Sequence, residues 1–124
     1  MADTYDDFEV VCAYTIKDML EDGLLFDLSS SKVGPIPIYA PVFKNIRYIT
    51  SALLYKGYID GDIFNRPNLA DLLVQVSKGI KKGLARGEDR IFEQMIEFPD
   101  GHREKVWAVV NEEGTLTLML PSDY

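Results

Sequence analysis

Cysteine and histidine are nearly absent from this chain, because each occurs once in 124 residues. With Cys12 as the only thiol, an intrachain disulfide is excluded, and the apolar run around it is typical of a small buried core residue. A zinc site needs clustered ligands, whereas Cys12 and His102 are far apart in sequence. Asp60 and Asp62 could contact a hard cation, but no calcium-loop pattern surrounds them. We therefore expect no metal and no cofactor.

Catalytic signatures are missing as well. His102 follows an Asp-Gly turn and has no partner that the sequence indicates, so its simplest interpretation is an exposed turn residue. A dyad of Cys12 and His102 would need a nucleophile on a buried strand, which the local pattern opposes. Gly79 and Gly83 lie within a helical pattern and not in a strand-to-helix turn, so they form no phosphate loop. We expect a protein that is not an enzyme.

No apolar run reaches the length of a membrane span, and Met1 is followed by acidic residues, unlike a signal peptide. We expect no membrane contact and a cytoplasmic location. The length suits a single domain over residues 1–124. Residues 1–7 have no periodic apolar positions, and we expect them to be frayed.

The charge of the chain is negative and unevenly distributed. The net charge is -7, which argues against direct binding of nucleic acid. Residues 1–31 carry eight acidic side chains and one basic, and residues 91–124 carry seven acidic and two basic. Residues 77–90 are different, with five basic side chains and two acidic. This distribution predicts an acidic surface and a smaller basic surface.

The C-terminal third predicts a sheet. Three extended segments, residues 91–98, 105–110 and 115–120, are separated by two turns that each contain a glycine. Asp100-Gly101 is a strong hairpin signal, because glycine adopts positive φ without a Cβ clash. Alternation of leucine with polar or smaller residues in the last segment is typical of a half-buried strand. We predict an antiparallel meander with helices against its apolar face.

The rest of the chain predicts about three helices and two further strands. Thr15 and Asp18 form a capping-box pattern before a short helix that ends near Gly23, between strands at residues 8–14 and 24–28. A second helix is predicted from Pro41 to about Gly57, because its apolar residues fall at helical spacing. The residues of that stripe are Val42, Ile46, Ile49 and Leu53.

A third helix is predicted after a long connection at residues 58–67, a length that is often functional. Its N-cap is predicted at Asn68. Its predicted apolar stripe consists of Leu69, Leu72, Leu73, Val76 and Ile80, with Leu84 as a further candidate. The predicted fold class is α+β: about three helices packed on a mainly antiparallel sheet with a C-terminal three-stranded meander.

Two surfaces are candidate binding sites. Acidic side chains in the first third can imitate nucleic-acid phosphates and occupy a basic groove of a partner, although they can also serve only for solubility. Basic side chains near the end of the third helix could bind an anion, although they also match the helix dipole. The partner-binding candidates are Asp18, Glu21, Asp22, Asp27, Tyr58, Asp60 and Asp62, and the anion-binding candidates are Lys78, Lys81, Lys82, Arg86 and Arg90.

Short motifs are spread over most of the chain: FEVVCAYT at residues 8–15, DGLLFDL at 22–28, the helix at 71–87 followed by GEDR, and LMLP at 118–121, with Pro41-Val42 between them. Together they resemble a family of small uncharacterised domains that are encoded on plasmids, phages and other mobile genetic elements. Residues 58–67 depart from the more regular middle of that family. No activity is assigned to the family, so no catalytic residue is carried over.

The resemblance implies a setting, because small acidic proteins of mobile elements are often inhibitors of host defence. We expect a non-catalytic, phage- or plasmid-encoded inhibitor of the anti-CRISPR or anti-restriction type. In a bacterial host cell it would bind a nucleic-acid-binding defence complex through its acidic surface. The alternative is a domain that binds a small anionic ligand, such as a nucleotide signal, at the basic cluster, with a homo-oligomer as one possible arrangement.

Overall fold

The computed structural model describes residues 15–34 and 45–124. The predicted strand at residues 8–14, Cys12 and the predicted helix start at Pro41 lie outside them. The helices are α1 (Ile16–Glu21), α2 (Ser51–Leu54) and α3 (Arg66–Ala85), and a 3-10 turn, Pro121–Asp123, ends the chain. The strands are β1 (Leu25–Asp27), β2 (Ile46–Thr50), β3 (Ile59–Asp60), β4 (Ile63–Phe64), β5 (Ile91–Glu97), β6 (Arg103–Val110) and β7 (Leu116–Met119).

The structure has an α+β architecture. Five strands form one sheet in the order β1-β2-β7-β6-β5, and β3 and β4 form a separate hairpin. In the larger sheet β2 and β7 are parallel, and the other neighbouring strands are antiparallel. The predicted meander is confirmed, because β5, β6 and β7 follow one another as antiparallel neighbours.

The turns of the meander form where glycine allows them. Gly101, between β5 and β6, has a φ of 93°, and Gly114, between β6 and β7, has a φ of 79°. A side chain at positive φ is strained, so these two positions favour glycine. In β6, Val106 and Ala108 are fully buried, whereas Trp107 and Val109 on the other face are half-buried.

The predicted capping box at the start of α1 is confirmed. The side chain of Thr15 accepts a hydrogen bond from the backbone N–H of Asp18, and the side chain of Asp18 accepts one from the N–H of Thr15, both at 3.2 Å. Gly23 follows the helix with a φ of 74°, as predicted for its C-terminal end. The next strand, β1, is shorter than predicted.

In the part of the predicted second helix that the structure describes, the prediction is wrong except over α2, because residues 46–50 form β2. This strand is buried on both faces: Ile46 and Ile49 belong to the main core, and Tyr48 packs with a smaller cluster that includes Ile16. Burial on both faces removes the alternation that identifies a strand. A register shift at Arg47 allows Ile46 and Ile49 to join the same core although they are three residues apart. A spacing of three is also typical of a helix, which explains the wrong prediction.

The long connection at residues 58–67 is also different from the prediction. It contains the hairpin of β3 and β4, in which Asp60 pairs with Ile63 around Gly61, whose φ is 60°. The N-cap of α3 is Asn65 and not Asn68, because the side chain of Asn65 accepts the backbone N–H of Asn68 at 3.0 Å. Pro67 then lies in the first turn, where its missing N–H costs no helical bond.

Helix α3 covers one face of the sheet. Its predicted stripe is buried as expected, except that Leu84 is 57% exposed. The buried side chains of the stripe join Phe92, Ile96 and Val106 in the main core. The stripe residues buried in that core are Leu69, Leu72, Leu73, Val76 and Ile80.

None of the helices in the described ranges is both long and apolar enough to cross a bilayer.

Candidate functional site

Two of the acidic candidates are already engaged within the chain. Asp18 forms the capping box with Thr15. Asp27 forms an ion pair with Arg47 at 3.3 Å and accepts hydrogen bonds from the backbone and hydroxyl of Ser29. Partial burial acts to raise the pKa of Asp27, but the hydrogen bonds from Ser29 and Arg47 outweigh it and lower that pKa. Both carboxylates therefore have structural roles.

Tyr58 is not a surface residue, contrary to its place among the partner-binding candidates. Its side chain is 1% exposed, and its ring packs edge-on against Phe98 with the ring centroids 6.0 Å apart. Burial raises the pKa of its phenol, and its hydroxyl has no hydrogen-bond partner among residues 15–34 and 45–124. Tyr58 therefore belongs to the core beneath the hairpin and does not contribute to an acidic surface.

The remaining acidic candidates are exposed and lie at the ends of two different elements. Glu21 and Asp22 end α1, and Asp60 and Asp62 lie at the β3–β4 turn. A groove of about 800 Å³ is lined by Asp27 and Asp62, together with Leu20, Phe26, Phe64 and the basic Lys32. The groove is thus of mixed charge and contains two of the predicted carboxylates.

The basic candidates are arranged more regularly. Lys78 and Lys82 on α3, and Arg86, the C-cap residue directly after it, are spaced four residues apart and so lie on one side of the helix. All three line a groove of about 390 Å³ beside strand β5. Arg103, the first residue of β6, lines the same groove. Lys81 and Arg90 are exposed but do not line it.

Glycines in α3 set the depth of this groove. A Cβ atom on Gly79 would lie 2.8 Å from the Cβ atom of Gln94, and one on Gly83 would lie 2.6 Å from Cδ1 of Phe92. Both distances are shorter than real Cβ contacts, so only glycine permits this approach of helix to strand. Gln94 and Gly79 both line the groove.

The cations of the groove are largely uncompensated. Arg86 pairs with Glu88 at 3.1 Å, and the one carboxylate in the lining, Glu93, contacts Lys105 at 3.8 Å and the indole N–H of Trp107 at 2.8 Å. Within residues 15–34 and 45–124, no carboxylate forms an ion pair with the other three cations of the lining. Those three cations are Lys78, Lys82 and Arg103. We define the α3–β5 groove by these three residues, Arg86, Gly79 and Gln94.

Gln75 closes one end of the α3–β5 groove. Its side-chain oxygen accepts the backbone N–H of Glu97 at 2.9 Å, and its side-chain NH₂ donates to the carbonyl of Glu97 at 3.0 Å. A second hydrogen bond from the same NH₂ to Asp71, at 2.8 Å, fixes the amide. Sequence patterns indicate neither this contact nor the position of Arg103, because both depend on how β5 and β6 lie against α3.

His102 is held between two carboxylates. It lies in the turn after β5, where its ring nitrogens contact the carboxylates of Asp100 and Glu104. The hydrogen bond with Glu104, followed by that with Asp100, raises the pKa of His102. Cys12, the other member of the dyad that the sequence pattern opposes, lies outside the described residues. Across the ranges that the structure describes, no group of three or more side chains is arranged to hold a metal ion.

Comparison of the chain with protein-family models, with curated proteins and with solved structures gave no match.

Proposed function

We propose that this is a non-catalytic binding protein that holds an anionic ligand in the α3–β5 groove. The observation that carries the proposal is the convergence of four cationic side chains from two elements on one groove. Three of them have no carboxylate partner among the described residues, so a carboxylate or phosphate ligand would supply the missing counter-charge. This is the alternative indicated by the sequence, now with Arg103 added and with Lys81 and Arg90 removed.

The acidic surface is less favoured by its geometry. One of its seven candidates, Tyr58, is buried, and Asp18 and Asp27 already have partners within the chain. A mimic of nucleic-acid phosphates works through charges that remain available to a partner. A larger share of the charged side chains remains available to a ligand in the basic groove than on the acidic surface.

Thermal unfolding in the presence of pyrophosphate, ADP or oligoglutamate tests the proposal. A ligand at a hundred times its dissociation constant adds about 2.7 kcal/mol of stability, which shifts the melting temperature by several degrees. We expect at least one probe to produce this shift, and the double substitution Lys78→Gln and Lys82→Gln to abolish it. Lys81→Gln with Arg90→Gln is the matched control, because it also removes two positive charges, at exposed positions that do not line the groove.

Two results would contradict the proposal. One is the absence of a shift with all three probes. The other is an equal loss of binding in the two double variants, since that would indicate a diffuse effect of charge without a site.

A second candidate function is the inhibitor of a host defence complex. It is supported by the resemblance to domains of mobile elements and by Asp27 and Asp62, which line one groove beside the exposed Asp60. With purified nuclease complexes, Asp60→Lys with Asp62→Lys should slow association and reduce its salt dependence. Glu97→Lys with Asp89→Lys is the control, because it makes the same change of charge at exposed positions that do not line this groove. Unchanged association in the double variant would reject this candidate.

A further inference from the structure

The outer edge of β5 forms part of the α3–β5 groove. Phe98 N–H donates to the carbonyl of His102 at 2.8 Å, and Val110 N–H donates to that of Arg90 at 2.9 Å. Both pairs continue the β5–β6 register, so the even-numbered residues of β5 exchange hydrogen bonds with β6. Backbone groups alternate in direction along a strand, so the odd-numbered residues direct their N–H and C=O groups away from β6.

One of these outward positions is already occupied by a side chain. The amide of Gln75 both accepts from and donates to the backbone of Glu97, as a peptide group of a neighbouring strand would. The other outward positions, Ile91, Glu93 and Met95, have no neighbouring strand in the described sheet, because β5 is its end strand. An end strand of this kind is a template for another extended chain.

The row of cations runs alongside this edge. Helix α3 and strand β5 run in opposite directions. Three contacts show this: Gln75 with Glu97, Gly79 with Gln94, and Gly83 with Phe92. Positions four apart on a helix are about 6 Å apart along its axis, and alternate residues of a strand are about 6.8 Å apart. Alternate side chains of a strand added to β5 would therefore match the spacing of the cations on α3.

We propose that the α3–β5 groove takes an extended acidic peptide segment of a partner protein, which adds to β5 as the next strand of the sheet. Acidic side chains on one face of the peptide contact Lys78, Lys82 and Arg86, and its backbone pairs with Glu93 and Met95. This inference rests on the proposed function, since it names the class of anion that the groove holds. Main-chain hydrogen bonds provide affinity in this binding mode, and the side chains provide specificity.

The peptide fits these features better than the other occupants. A small anion would use the cations but leave the backbone groups of Glu93 and Met95 without partners. A second copy of the chain could offer β1 or its own β5. Strand β1 has only three residues, and its Asp27 is already paired with Arg47. Pairing of β5 with β5 about a two-fold axis would bring two rows of cations together. A longer acidic strand uses both the charge and the edge.

Peptides with selective N-methylation test the proposal. The parent probe is an octapeptide that alternates glutamate and threonine, so that all its carboxylates lie on one face of a strand. Two variants carry N-methyl groups on either the glutamates or the threonines, and binding to the full chain is measured by calorimetry. Because only one alternate set of N–H groups points to β5, we expect one variant to bind roughly tenfold more weakly and the other to bind like the parent.

The substitutions Lys78→Gln and Lys82→Gln should each weaken binding of the parent peptide by about two- to fivefold, with Lys81→Gln unchanged. If both methylated peptides bind equally and their binding still depends on Lys82, strand addition is overturned but the proposed anion site is supported. Binding that does not depend on Lys78 or Lys82 would overturn both proposals. If the protein forms a dimer and the parent peptide dissociates it, the β5 edge is occupied by a second copy of the chain. That result would also overturn the inference.

Discussion

Lys81 and Lys82 are neighbours in sequence, yet only Lys82 lines the α3–β5 groove. Each residue of a helix is rotated by about 100° from the one before, so adjacent lysines have different surroundings. The spacing of Lys78, Lys82 and Arg86 was visible in the sequence. The sequence does not show that this row of cations lies on the side of α3 that is next to β5. It also does not show that Arg103, from β6, lines the same groove.

Tyr58 and Asp27 are two predicted binding residues that the structure shows to be engaged within the chain. Tyrosine is common at binding surfaces, but the same aromatic ring fills core space, and here it packs on Phe98. Asp27 was selected for its charge, and Arg47, twenty positions away, compensates it. Long-range partners decide whether such a residue is available, and residue type alone does not show them.

His102 is the only histidine, so its titration can be followed without ambiguity. The hydrogen bond with Glu104, and then that with Asp100, raises the pKa of His102 above 6.5. By proton NMR we expect a midpoint above that of a histidine in the unfolded chain, and Glu104→Gln should lower it. Glu93→Gln is the control, since Glu93 contacts Lys105 and Trp107 instead. A midpoint that Glu104→Gln does not change would contradict the contact.

The same cluster determines a pH window for stability. A raised pKa of His102 contributes stability that is complete below about pH 6.5 and is lost as the pH rises through the folded value. The pKa of Glu104 is lowered by its hydrogen bond from His102, so this contribution is complete above about pH 4.5 and is lost in acid. The cluster therefore stabilises the fold most between these two limits.

The secondary-structure elements differ in how far local sequence determines them. Asp100-Gly101 and the alternating leucines predicted the meander, and Thr15 with Asp18 predicted the start of α1, because all of these signals are local. Strand β2 was not predicted, for two reasons. It pairs in parallel with β7, which lies far along the chain, and it is buried on both faces, so it has no polar alternation. The β3–β4 hairpin did carry an Asp60-Gly61 signal, but its strands are only two residues long.

The start of α3 provides a test of one such element. Because the side chain of Asn65 caps the helix, Asn65→Ala should lower the free energy of unfolding by about 1 kcal/mol. Asn65→Asp should retain most of the stability, since aspartate is an equally good N-cap. Urea unfolding of the three proteins measures the difference. If Asn65→Ala and Asn65→Asp are equally stable, the cap does not contribute as the structure indicates.

The charge of the whole molecule is opposite in sign to that of the α3–β5 groove. Four cationic side chains line this groove at the β5 edge of the described sheet. The net charge is nevertheless -7, so an acidic ligand approaching from a distance is repelled by the whole protein. Attraction to the groove acts only at short range, and the balance between the two depends on ionic strength.

This balance predicts that association of the glutamate-threonine octapeptide varies non-monotonically with salt. The Debye length is about 30 Å at 0.01 M salt and about 8 Å at 0.15 M, while a chain of this length has a radius of gyration near 14 Å. At low salt the peptide therefore interacts with every acidic side chain, and at moderate salt mainly with the groove. We expect stopped-flow association rates to rise between these concentrations and to fall above them. A peptide with glutamine in place of glutamate controls for other salt effects. A rate that only falls with salt would show that the groove acts as an isolated basic patch, independent of the acidic remainder of the protein.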